Sequence, residues 1–531
     1  MSAAPLLEIE KLSVAIGAVP IIKDLSLALR AGEILGLVGA SGSGKSMTAL
    51  AIMQLLPEAA SLSGMVRLHG AALTGKNARQ MREIRGRDIA MVFQEPMNAL
   101  NPLMCIGDQV AETVRMHRTV SRLQARSAAR ETLDLTGLVG AGALDRLPYE
   151  LSGGQRQRVA IAMAVVMAPA LLIADEPTTA LDVIAQAQIL ALLEDLVRTR
   201  NMGMVFVSHD LAVISQLADR VAVMREGQIV EQGATRELLR HARHPYTMAL
   251  LAAANLHPRR KAARQDSHEV LQVSGIVREY PRRRRSLWRT AEPLRAVDGV
   301  SISVHAGETV GLVGESGSGK SSLLKVVLAL ERAQAGEVRL LGDEFSTARG
   351  ANLRRLRRSL QAVFQDPYGS FDPRWSVERL IAEPFYLLDS PPAPAERRRK
   401  VSVALEQVGL SAADARRLPR EFSGGERQRI AIARALVTEP AVIAFDEAVS
   451  ALDVLLRGQI LALLAELADR LKVAYLFVSH DLHVIKAIAD RVYVMQQGRI
   501  VEEGPTETVF TAPRHTYTRA LIAATPKMAL Q

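Results

Sequence analysis

Two strings in this 531-residue chain have the residue types to hold a nucleotide phosphate. GASGSGKS runs from Gly39 to Ser46, and GESGSGKS from Gly314 to Ser321. A glycine-rich turn between a strand and a helix leaves several backbone N–H groups pointing inward, and the helix N-terminus adds positive potential, so the pair cradles anions. Side chains would block that approach, hence Gly39, Gly42 and Gly44, and Gly314, Gly317 and Gly319, with Ala40, Ser41 and Ser43, and Glu315, Ser316 and Ser318, between them. Lys45 and Lys320 reach the β- and γ-phosphates in this reading, and the hydroxyls of Ser46 and Ser321 ligate Mg²⁺.

Further along each half, LLIADE (Leu171–Glu176) and VIAFDE (Val442–Glu447) end apolar, strand-like runs on two carboxylates. Asp175 and Asp446 suit water-mediated Mg²⁺ coordination, and Glu176 and Glu447 are placed to polarise an attacking water. Phosphoryl transfer requires positioning and charge stabilisation more than covalent chemistry, which matches this kit.

The kit occurs twice in the same order. Gln94 and Gln365, Ser152 and Ser423, Asp175 and Asp446, and His209 and His480 each lie 271 positions apart. A duplication this regular predicts two equivalent nucleotide-binding domains, 1–257 and 268–531, joined by a linker at 258–267. The halves close on matching tails, HARHPYTMALLAAA and APRHTYTRALIAAT. Short apolar strands alternating with helical stretches predict an α/β fold with a mainly parallel sheet, and helix-rich insertions at about 100–165 and 371–436.

LSGGQRQR (Leu151–Arg158) and FSGGERQR (Phe422–Arg429) resemble the signature motif of ABC-type ATPases. The resemblance covers nearly the whole of both halves. It implies two tandem P-loop ABC ATPase domains, each with a parallel-sheet core, a β subdomain and a helical subdomain. Ser152, Gly153 and Gly154, and Ser423, Gly424 and Gly425, would then start helices facing the γ-phosphate bound on the opposite domain. In that family pattern Gln94 and Gln365 sit near Mg²⁺ and the water, His209 and His480 contact the γ-phosphate, and Asp182 and Asp453 belong to the cross-dimer loop. The RDIAMVFQEPMNALNP stretch and the RHPYT tail are similar to the ATPase subunits of peptide-type importers (oligopeptide, dipeptide, nickel, glutathione and microcin-peptide systems), here with two subunits fused.

That resemblance implies ATP and Mg²⁺ as cofactors, two transmembrane permease subunits as partners, a solute-binding protein acting through them, and a peripheral place on the cytoplasmic face of the bacterial inner membrane. No nucleic-acid partner is expected. The alternative is a soluble tandem ABC ATPase of translation or DNA repair, which the net charge of +10 allows. Against it stand the short junction without heptads and the lack of inserted zinc cysteines. No run reaches the length needed to span a bilayer, and the N-terminus has no secretory pattern. The single cysteine, Cys105, excludes an intramolecular disulfide and reads as a buried structural thiol. The Arg354–Arg358 and Arg397–Lys400 runs read as exposed helix faces, and the basic stretch 281–293 as a surface loop.

The halves differ at two points. Tyr280 occupies the place upstream of the glycine loop where the family stacks an aromatic on adenine, and Ile16 takes that place in the first half. Base–aromatic stacking contributes roughly 1–3 kcal/mol in nucleic-acid complexes. Glu426 stands where the first signature has Gln155. Both departures fall on the composite site of Lys45 with Ser423, which leaves two readings: that site binds ATP more weakly than the site of Lys320 with Ser152, or both substitutions are neutral variants, since Glu176 and Glu447 are both intact.

Overall fold

The computed structural model describes residues 4–94, 99–140, 142–179, 181–254, 268–281, 293–366, 369–450 and 452–528. The proposed linker 258–267 and nearly all of the basic stretch 281–293 lie outside them. The chain divides into two compact units, Met1–Ala254 with Pro526–Gln531, and Asn255–Thr525.

In the first unit the strands are β1 (Leu7–Ile16), β2 (Val19–Leu29), β3 (Ile34–Val38), β4 (Ala60–Leu68), β5 (Ala71–Ala72), β6 (Ile89–Val92), β7 (Leu171–Asp175), β8 (Gly203–Ser208), β9 (Arg220–Arg225) and β10 (Gln228–Ala234). They form a four-stranded antiparallel sheet, β2-β1-β4-β5, and a six-stranded sheet, β10-β9-β3-β8-β7-β6. The six-stranded sheet is parallel except for β10. Its central strands β3 and β7 are buried at every position, as parallel strands covered on both faces must be. This explains why ILGLV, and LLIA before Asp175, are continuous apolar runs, whereas β1 mixes buried and exposed positions. One core joins the two sheets around the helix Lys45–Ile52. A second core holds the helical insertion together, with Val110, Ala129, Leu133 and Val159 all essentially inaccessible.

The second unit repeats the plan with β11 (Glu269–Tyr280), β12 (Leu294–His305), β13 (Thr309–Val313), β14 (Ala335–Leu340), β15 (Asp343–Glu344), β16 (Leu360–Val363), β17 (Val442–Asp446), β18 (Ala474–Ser479), β19 (Arg491–Gln496) and β20 (Arg499–Pro505). The sheet orders are β12-β11-β14-β15 and β16-β17-β18-β13-β19-β20. The predicted α/β class, the parallel sheets and the helix-rich insertions are all present.

Two details depart from or refine the sequence reading. Cys105 is half-buried rather than buried, because it caps the N-terminus of the helix Ile106–His117, where its Sγ lies 3.3 Å from the Asp145 carbonyl oxygen. The arginine runs do lie on helix faces: Arg354, Arg355 and Arg358 are exposed on Gly350–Ser359, and Arg397, Arg398 and Arg399 on Pro394–Gln407.

Candidate nucleotide sites

Each glycine loop leaves the C-terminal end of a central strand, β3 or β13, and enters a helix at Lys45 or Lys320. A Cβ on Gly39 would sit 2.2 Å from the Met224 carbonyl oxygen, and one on Gly314 2.2 Å from that of Met495, so close packing excludes any side chain there. At Gly42 and Gly317 the backbone is left-handed (φ +78° and +82°) and the space around a Cβ is open. The loop therefore presents a concave, side-chain-free face of the kind phosphate oxygens require.

The loop lysines are nearly inaccessible, 6% exposed at Lys45 and 5% at Lys320. Lys45 Nζ donates to the carbonyl oxygens of Gly39 (2.8 Å) and Ala40 (3.0 Å), and Lys320 Nζ to those of Gly314 (2.7 Å) and Glu315 (2.7 Å). Each ammonium is held inside its own loop.

Beside the first loop, the Ser46 hydroxyl donates to Asp175 Oδ1 at 3.1 Å. A hydroxyl and a carboxylate oxygen in contact form a hard donor pair suited to Mg²⁺, which keeps several waters and takes substrate phosphate oxygens as further ligands. Burial pushes the Asp175 and Asp446 carboxyls up, and the neighbouring Glu176 and Glu447 charges add to it. A cation would relieve that cost, so the residues fit the ion.

Glu176 follows β7 in a left-handed conformation (φ +46°), and Glu447 follows β17 likewise (φ +48°). Glu176 is surrounded by polar groups: His209 Nδ1 lies 3.1 Å from one carboxylate oxygen, while Gln94 Nε2 (2.9 Å) and the Thr179 hydroxyl (3.1 Å) donate to the other. His480 Nδ1 lies 3.0 Å from Glu447 Oε1. Burial opposes ionisation of both glutamates, but His209, Thr179 and Lys45 around Glu176, and His480 and Lys320 around Glu447, together hold both carboxyls below their usual range. Burial also opposes charge on His480, yet Glu447 and Asp481 raise its pKa above the ordinary histidine value. Gln365 lies two residues past β16, as Gln94 lies two past β6.

The signature residues start helices as expected. Ser152 caps Gly153–Val165, and Ser423 caps Gly424–Leu436. Both are capping boxes, in which the cap serine and the third helical residue satisfy each other's N–H groups. They are not equivalent. Gln155 Oε1 accepts the Ser152 N–H at 3.1 Å, whereas Glu426 Oε2 accepts both the N–H and the hydroxyl of Ser423 at 2.8 Å. Asp182 and Asp453 cap the helices Val183–Arg200 and Val454–Leu471.

Ile16 and Tyr280 each end the first strand of their unit, so the sequence placed them equivalently. The Tyr280 hydroxyl donates to Glu331 Oε2 at 2.7 Å, and the Arg278 guanidinium lies 4.5 Å from the ring centroid. Sequence reasoning missed these two supports, and it also missed the tail tyrosines. The Ala40 N–H donates to the Tyr246 hydroxyl at 2.9 Å, and the Glu315 N–H to that of Tyr517 at 2.9 Å. The one available signal was the repeated RH-[PT]-YT string, whose tyrosines are the polar aromatic residues in the tails.

A parallel sheet with a glycine loop at the end of a central strand, a buried lysine behind it and a carboxylate pair at the end of the strand two places away defines a P-loop ATPase. The capped signature helices narrow that class, and comparison with known proteins agrees. Residues 22–179 and 297–450 match the ABC transporter family, and 230–275 and 501–530 match the oligopeptide/dipeptide transporter C-terminal region. The chain is 44% identical, over 99% of its length and 90% of the relative's, to the glutathione import ATP-binding protein GsiA of Escherichia coli K12. It is 44% identical, over 95% and 86%, to the protein of the same name in Salmonella choleraesuis. Among solved structures, cbiO1 from Clostridium perfringens, part of the transporter complex cbiONQ, matches with a TM-score of 0.40 and 25% identity over 46% of this chain and 91% of that one. The chain belongs to the ABC transporter family. It is an ATPase subunit with two ABC domains in tandem, of the peptide-type importer group. The tail match does not favour a role in translation or DNA repair.

Proposed function

We propose that the two domains close head-to-tail on two ATP molecules and that this cycle drives a pair of permease subunits importing small peptides. Glutathione, the solute named for relatives 44% identical over 99% of this chain, is the first to test. Lys45 would pair with Ser423 across one ATP, and Lys320 with Ser152 across the other. In each site the loop N–H groups and lysine hold the phosphates. Ser46 with Asp175, and Ser321 with Asp446, would hold Mg²⁺, with Gln94 and Gln365 beside it. The ion would neutralise charge on the β- and γ-phosphates. Glu176 and Glu447 orient the attacking water and receive its proton, while His209 and His480 fix the carboxylates and face the γ-phosphate.

The observation that carries this reading is the environment of Glu176. It is a carboxylate kept ionised inside a mostly buried site by His209, Thr179 and Lys45 and held in place by Gln94, next to a hydroxyl–carboxylate pair that suits Mg²⁺. Phosphoryl transfer needs such a charged, fixed acceptor. Replacing Glu176 and Glu447 by Gln should leave ATP binding within about threefold and cut turnover by at least about 10²-fold, in line with the loss of general-base catalysis. Unchanged hydrolysis would remove both from the mechanism.

Permease docking is supported by a cavity of about 740 Å³ in the first unit, lined mainly by apolar side chains including Leu50, Met53, Phe93 and Met163, with Gln94 and Asp175 among its polar lining. An apolar segment seated there would touch the glutamine that holds Glu176. Among the described residues no helix is long and apolar enough to cross a membrane. The match to peptide-type importer ATPases supports a translocation path in partner subunits, with this chain on the cytoplasmic membrane face. Gentle solubilisation of membranes followed by capture of the tagged chain should bring down two multi-span proteins in stoichiometric yield.

A further inference from the structure

The tail is joined to the phosphate loop through one peptide group, in the same way in both units. The C=O of Gly39 and the N–H of Ala40 belong to a single planar unit. Its oxygen accepts from Lys45 Nζ, and its N–H donates to the Tyr246 hydroxyl. The Gly314–Glu315 peptide is likewise held between Lys320 Nζ and the Tyr517 hydroxyl. A planar peptide cannot turn its N–H without turning its C=O. The tyrosine therefore sets the orientation of the carbonyl that holds the loop lysine.

The tyrosines are themselves fixed by a relay that starts in the core sheet. Glu231 on β10 accepts the N–H groups of Arg243 (2.8 Å) and His244 (3.2 Å), and His244 Nδ1 accepts the Tyr246 N–H at 3.2 Å. In the second unit Glu502 on β20 accepts those of Arg514 (2.7 Å) and His515 (3.0 Å), and His515 Nδ1 accepts the Tyr517 N–H at 3.2 Å. Both tyrosines are buried, 9% and 6% exposed. The two tyrosines lie 271 positions apart and the two loops 275, yet each pair meets at the same atoms.

We propose that Tyr246 and Tyr517 are positioning residues for nucleotide binding, through which the peptide-type tail holds each phosphate loop and its lysine in register. In this proposal they act through the loop backbone, since each hydroxyl accepts the N–H of Ala40 or Glu315. The inference rests on ATP binding at the glycine loops.

The test uses the full chain with Tyr246→Phe and Tyr517→Phe together, each removing one oxygen and leaving the ring. Losing one hydrogen bond per loop should raise KM for ATP by about two- to tenfold. The rate at saturating ATP should stay within about twofold of the parent. A tyrosine that merely stabilised the fold would lower the rate at every ATP concentration without moving KM, so that outcome, or an unchanged KM with an unchanged rate, overturns the proposal. If the double variant does not fold, either single variant is read the same way, a raised KM upholding the role and an unchanged one overturning it. A Lys45→Ala, Lys320→Ala chain separates the underlying assumption: if it still binds ATP as the parent does, the site reading itself fails, whatever the tyrosines do.

Discussion

Glu426 shows how one atom separates two otherwise equal motifs. As the third residue of its helix it satisfies the cap, as Gln155 does in the first unit, but it also takes the Ser423 hydroxyl proton. The N–H and hydroxyl of Ser423 hold its carboxyl below the ordinary range, so it stays ionised at neutral pH. A negative charge at a helix N-terminus complements the macrodipole by about 0.3–1 kcal/mol. The same charge repels an anion approaching that terminus. Glu426→Gln keeps the capping box, so it should cost no more than about 1 kcal/mol of stability in urea. If that charge weakens the Lys45–Ser423 site, the substitution should also tighten ATP binding there by several-fold, as read by nucleotide titration. An unchanged affinity would mark Glu426 as a neutral variant and leave Ile16 as the one remaining ground for unequal sites. The Gln-to-Glu difference was legible in the sequence. That Glu426 captures the serine hydroxyl was not, because it depends on a rotamer that only the folded cap defines.

At the scale of elements, the loop-to-helix junctions were readable because everything they need is local. Glycines, a lysine and a serine within eight residues dictate a strand, a turn and a helix starting at Lys45 or Lys320. The tail was not readable in this way. Tyr246 meets a residue 206 positions away, and neither the string RHPYT nor its periodicity points toward the loop. The Glu331–Tyr280 contact has the same origin, joining a strand end to the segment after a helix. What fixes the tail is the pair of glutamates on β10 and β20. Burial alone would raise them, but Thr247 with the N–H groups of Arg243 and His244, and the Arg514 N–H with Thr518 and the His515 N–H, hold both carboxyls below their ordinary range. A carboxylate whose folded pKa is depressed contributes stability that is present above the unfolded value and lost as pH falls through the folded one. Acidification below about pH 4.5 should therefore loosen both tails. The urea midpoint of the parent should fall between pH 5 and pH 3.5, and Glu231→Gln with Glu502→Gln should make that fall shallower. An equally steep fall in the variant would place the acid-sensitive groups elsewhere.

At the scale of the whole molecule, two units with separate cores and complete glycine loops still lack a signature helix directed at their own phosphate in the head-to-tail proposal. Each site then consists of one unit's lysine and the other's serine, which a double-mutant cycle detects. Residues that serve one site couple, whereas residues in different sites do not share an interaction to lose. Lys45→Ala should remove most of the function of its site, so adding Ser423→Ala should change the remaining hydrolysis by less than about twofold. Adding Ser152→Ala instead strikes the second site, and activity should fall at least to the product of the two single effects. The coupling between Lys45 and Ser423 should reach about 0.5–3 kcal/mol, the range measured for residues acting on one network. If the strong coupling instead joined Lys45 to Ser152, each signature would serve the loop of its own unit. Closure of the pair could not then be the power stroke, and the source of the force on the permeases would have to be sought within single domains, where the apolar cavity beside Gln94 is the nearest candidate.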